Sequence, residues 1–67
     1  MAKTWEQEKA YCAQRAQELG AEMDAAIETM DRERFDKAHT TAMRYMKNKE
    51  RSDYYKRFLT KMREARA

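Results

Sequence analysis

The stretch Thr29-Met30-Asp31-Arg32-Glu33-Arg34-Phe35 decides how this chain folds. An acidic helical pattern runs into it and a basic one runs out of it. Asp31 carries the short carboxylate of a good helix N-cap. Glu33 adds a second negative charge in the first turn, where the helix dipole favours it. Phe35 is the first apolar residue of the new helix, spaced to fold back on Ile27 and Met30. These residues predict the corner of an antiparallel helical hairpin.

Upstream, Thr4 followed by Gln7 has the spacing of a capping box, and Glu6 and Glu8 suit the same helix end. Cys12, Ala16, Leu19, Met23, Ala26 and Met30 then recur in steps of four and three, a heptad-like seam along one side of a helix. Ala13, Gly20 and Ile27 fall seven apart and widen that seam. Its small residues let a neighbouring helix come close. Gly20 costs roughly 1 kcal/mol against Ala, so it either allows close packing or marks a bend. Trp5 and Tyr11 fall near the start, partly off the seam. The first helix is expected over about 5–29, about 37 Å long at 1.5 Å per residue.

Downstream, Phe35, Ala38, Ala42, Tyr45 and Met46 form one apolar stripe, with His39 at its edge, and predict a second helix over about 32–47. Residues 47–53 hold nothing apolar. Tyr54, Tyr55, Phe58, Leu59 and Met62 then form another stripe. At about 100° per residue, this second stripe falls on the far side of a straight continuation of the first. Residues 53–65 are therefore either a third helix that folds back or a continuation of the second helix that shows its stripe to another subunit. The absence of Pro, and of any Gly after Gly20, favours continuity. The opposed stripes, and Ser52-Asp53 as a start signal, favour a break near residues 48–52. Either way the chain is all-α, an antiparallel hairpin with a C-terminal helical segment.

With 67 residues, no Pro, one Gly and one Cys, the chain is a single small domain spanning 1–67. A chain this short is marginal alone. One cysteine makes no disulfide, and no Cys/His cluster offers a structural zinc site. Helix packing and self-association remain, and a homodimer is expected. No run of about 18 apolar residues could span a membrane. The start, Met1 to Glu6, lacks the apolar centre of a secretory leader, so a cytoplasmic protein with a reduced thiol is expected. Charge divides unevenly. Residues 1–31 hold three Lys/Arg against seven Asp/Glu, a net of −4; residues 32–67 hold twelve against five, a net of +7. Acidic and basic helices attract within the hairpin, and the surplus cations face solvent or a partner.

Several groups of residues carry chemistry. Tyr55, Phe58, Leu59 and Met62 form the candidate protein interface, because one hairpin has too few elements to cover every stripe. Arg44, Lys47, Lys49, Arg51, Lys56, Arg57, Lys61 and Arg63 lie among aromatic residues and are the candidate nucleic-acid contacts. Met23, Met30, Met43, Met46 and Met62 suit an adaptable apolar surface, though an ordinary core uses Met as well. Asp36-x-x-His39 has metal-site spacing on a helix, but it occurs once, without further inward carboxylates; an ion pair or a packed imidazole accounts for it. Cys12 has no neighbour that would activate it. No nucleophile–base arrangement and no phosphate loop is present, so no catalytic, cofactor or metal residue is assigned. In architecture alone the pattern is similar to small hairpin proteins that pair into four-helix bundles, such as the plasmid RNA-binding Rop family. The expectation is a non-enzymatic regulatory protein that binds a protein partner through apolar helix faces as a homodimer. RNA or DNA binding through the basic half is the second reading.

Overall fold

Thr4 and Gln7 set the start of the first helix. Thr4 Oγ1 accepts from the Gln7 N–H at 3.2 Å, and Gln7 Oε1 accepts from the Thr4 N–H at 3.1 Å. That capping box opens α1, Trp5–Thr29, in a computed structural model that describes residues 4–66. Residues 1–3, which begin the stretch read as lacking a leader, and residue 67 lie outside the described residues. Two further helices follow, α2 (Arg32–Ala42) and α3 (Asn48–Arg66). The described residues form an all-α hairpin with a C-terminal helix and contain no strand.

The corner is a Schellman reversal. The Met30 N–H donates to Ile27 O at 3.1 Å, and the Asp31 N–H donates to Ala26 O at 2.9 Å. Met30 takes the left-handed conformation this needs, at φ 55°. Asp31 then caps α2, its Oδ1 accepting from the Arg34 N–H at 3.1 Å. Met30 therefore ends the seam as a cap and is 42% exposed, instead of packing beneath Phe35.

The core joins Leu19, Met23, Ala26 and Ile27 of α1 to Phe35, Ala38 and Ala42 of α2 and to Phe58 of α3. Three alanines among these let α1 and α2 approach closely. Gly20 is buried too, whereas Ala13 is exposed and Cys12 and Ala16 are half-buried. Phe35 is fully buried and stacks on Phe58, ring centroids 4.4 Å apart and planes 6° apart.

The chain breaks between α2 and α3 and the third helix folds back, but the break falls earlier than residues 48–52. Helix α2 ends at Ala42, five residues short of the expected end at 47. Bonds from Met43 N–H to Thr40 O, Arg44 N–H to Thr41 O and Tyr45 N–H to Ala42 O, at 3.0–3.2 Å, tighten the backbone beyond α-helical pitch. The turn carries Tyr45 and Met46 back toward α1. Tyr45 meets the Tyr11 ring edge-on at 6.2 Å, and Met46 Cε lies 3.5 Å from where a Gly20 Cβ would stand. Ser52 and Asp53, read as a start signal, sit inside α3 and are exposed. Lys49, Glu50 and Arg51 are good helix formers, and α3 takes them in.

Helix α3 runs beside α1 in the same direction and antiparallel to α2. Tyr54 reaches Gly20 and Arg57 reaches Asp24, while His39 and Tyr55 lie 5.7 Å apart. A Cβ on Gly20 would stand 2.6 Å from the Tyr54 hydroxyl, so the glycine serves close packing and not a bend. The molecule is a rod of 53 × 19 × 14 Å. At one end the start of α1 extends beyond the other helices, with residues 4–11 all exposed. Trp5 stands eighteen residues before Met23, five full turns, so it continues the seam and does not lie off it. No described helix is long and apolar enough to cross a membrane.

Candidate functional site

The four residues read as a protein interface line one groove and differ in how deeply they are buried. Phe58 is 3% exposed and belongs to the core; its neighbours Tyr55 and Leu59 are 45% and 41% exposed, and Met62 is half-buried. The reason is helical geometry. One stripe about four residues wide cannot turn wholly inward when only α1 and the short α2 lie beneath it. Phe58 anchors the helix, and Tyr55 and Leu59 flank that anchor on the outside.

These residues line a groove of about 250 Å³ between the first turn of α2 and the last turns of α3. Arg32, Asp36, Arg63 and Arg66 share its lining with the apolar side chains. Asp36 pairs with Arg32 at 3.8 Å and not with His39. His39 instead stacks on Phe35, centroids 5.4 Å apart. Among the described residues no three His, Cys, Asp or Glu side chains gather as a metal ion would need.

Tyr55 also borders a second concavity, with His39, Asn48, Arg51 and Ser52. Arg51 Nη2 donates to Asn48 Oδ1 at 2.5 Å, while Arg51 Nε and His39 Nε2 are shielded from solvent without a hydrogen-bond partner.

The eight candidate nucleic-acid contacts differ in their partners and exposure. Arg57 is exposed and donates to Asp24 Oδ1 at 2.7 Å, with its guanidinium 4.6 Å from the Tyr54 ring centroid. The ion pair links α3 to α1, and the cation–π contact lies within α3. Arg51 is held by Asn48, and Lys61 is half-buried. Arg44, Lys47, Lys49, Lys56 and Arg63 are exposed. Lys49, Lys56 and Arg63, seven residues apart, share the outward face of α3.

Surface ion pairs trim the charge between the halves. Arg34 pairs with Glu22, and its hydrogen bond holds the Glu22 carboxyl below the usual carboxylate range, against a smaller opposing effect of burial. The same contact raises Arg34. A hydrogen bond to Tyr45 raises the Tyr11 phenol, and Arg15 sits 5.7 Å from the Tyr45 ring centroid. These contacts tie the linker to α1 and leave the turns before Tyr11 bare.

Sequence reasoning missed two features. The arginines that line the groove come from the two ends of the fold-back, so nothing local in the sequence joins Arg32 to Arg63. Trp5 carried a signal, its five-turn spacing from Met23, that the four-and-three counting stopped short of. No family model, no curated protein and no solved structure matches this chain.

Proposed function

We propose that the chain is a non-enzymatic regulatory protein that works by binding protein through apolar helix faces, as a homodimer. The observation that carries this reading is the outward flank of α3, where Tyr55 and Leu59 stand open beside a core-anchored Phe58. Exposed aromatic and aliphatic side chains set among arginines have the make-up of an interface centre with a charged rim. A small three-helix chain also gains stability from covering them. The test is sedimentation equilibrium over a range of concentrations, on wild type and on Leu59→Asp. A wild-type mass that doubles, and a folded Leu59→Asp that stays at the single-chain mass, is the expected result. Single-chain mass for wild type at high micromolar concentration would overturn the reading.

One observation favours nucleic acid as a second reading, the Lys49–Lys56–Arg63 line on the outward face of α3. Phosphate contacts give an affinity that falls steeply with salt. Fluorescence anisotropy with a single-stranded RNA oligonucleotide checks it: binding weakened by Lys56→Glu, with a steep salt slope, supports this reading, and no binding at low salt removes it.

A further inference from the structure

Among the exposed apolar side chains of the described residues, two features stand at opposite ends of the rod. At the first end Trp5 is 79% exposed, on the same line as Met23, where α1 runs past its partners. At the other end lies the groove lined by Tyr55, Leu59 and Met62. Asp24, which meets Arg57 near the groove, is nineteen residues from Trp5, about 28 Å along α1. One chain therefore cannot bring its own Trp5 to its own groove.

We propose that the homodimer is an antiparallel pair of rods in which the Trp5 end of each chain fills the Leu59 groove of the other. This rests on the homodimer reading above and names its contact. One symmetry argument and two observations point to a second copy as the occupant. A two-fold axis across the rods sets each overhang beside the other's groove, so both contacts close at once. The charges match in both signs: Glu6, Glu8 and Lys9 surround Trp5 among the described residues, while Arg32, Arg63, Arg66 and Asp36 line the groove. The overhang also prolongs the seam that already packs the hairpin, so the pairing extends an existing apolar line. Trp is among the residues that most often anchor such contacts.

Trp5 is the single tryptophan, which makes it a reporter that needs no label. The experiment follows its emission and the sedimentation mass together. In wild type the emission should move to shorter wavelength as concentration rises, in step with the doubling of mass. Leu59→Asp should lose both changes, although Leu59 lies at the far end of the same rod. Adding Trp5→Ala, which is dark and keeps an intact groove, should restore the shift in Leu59→Asp, because one overhang and one groove then remain between them. Arg63→Glu with Arg66→Glu changes only exposed side chains, and should weaken pairing whether or not Leu59→Asp folds. A mass that doubles while Trp5 emission stays fixed would overturn this contact and leave the homodimer standing. A mass that never doubles would overturn both. A Leu59→Asp shift that Trp5→Ala fails to restore, with both variants folded by circular dichroism, would also overturn it.

Discussion

Gly20 and Met30 are the two residues at which the backbone of α1 answers to its surroundings. The Tyr54 hydroxyl lies 2.6 Å from where a Gly20 Cβ would stand, while the ring carbon behind it lies at 3.4 Å, an ordinary contact. Helix propensity favours Ala over Gly by about 1 kcal/mol. Gly20→Ala should therefore stabilise by about that amount in a Tyr54→Phe background, where the hydroxyl is gone, and by clearly less, or not at all, with Tyr54 present. Urea melts of the four proteins check this, and equal effects in both backgrounds would show that the hydroxyl does not press on Gly20. Met30 holds a left-handed conformation, which in a non-glycine residue costs about 1–2 kcal/mol. Met30→Gly should raise stability by on the order of 1 kcal/mol, since the side chain is 42% exposed and little packing is lost. A lower denaturation midpoint would contradict that. The caps at Thr4 and Asp31 were legible because capping is a local bond between neighbours in sequence. Met30 was not, because its spacing fits the seam and the left-handed position is one where Gly is the usual signal.

Among the elements, α1 and the start of α2 were read to the residue, and the boundary between α2 and α3 was shifted. The seam of α1 is regular and its ends carry strong chemical marks. Helix α2 ends early because Tyr45 and Met46 gain more by reaching α1 than by continuing the stripe, a tertiary choice that periodicity cannot register. Asp31→Ala should weaken the start of α2 by on the order of 1 kcal/mol, read as a lower melting temperature. Met23→Ala removes a fully buried side chain and should cost roughly 2–5 kcal/mol, a large share of what a domain this small possesses. A variant that melts like wild type would contradict its place in the core. The Glu22–Arg34 pair links α1 to α2 and has a pH signature. Because the folded Glu22 pKa is lowered, the pair stabilises at pH above the ordinary carboxylate value, and that contribution is lost as pH falls through the lowered folded value. Glu22→Gln should be less stable than wild type at neutral pH and indistinguishable from it in strong acid. A gap that is constant with pH would show that the carboxylate charge is not its source.

At the scale of the molecule, the fold-back was legible as one of two alternatives, because two opposed stripes cannot share one straight helix with a single partner. Its consequence for the surface was not legible. Phe58 looked like an anchor for a second chain, and it packs instead on Phe35 of its own chain, leaving Tyr55 and Leu59 as the exposed flank. In the basic half, Arg57 pairs with Asp24 of α1 while Lys49, Lys56 and Arg63 share the outward face of α3. Both outcomes depend on how α3 is rotated about its axis, which long-range packing decides. The central claim is that α3 folds back on its own hairpin and presents Tyr55 and Leu59 to a second copy. It is tested most directly by isotope-filtered nuclear Overhauser spectroscopy on a mixture of labelled and unlabelled chains. The expected result is Phe35–Phe58 ring contacts within one chain and Trp5–Leu59 contacts only between chains. Phe35–Phe58 contacts seen only between chains would mean that α2 and α3 run on as one helix, and would contradict the account.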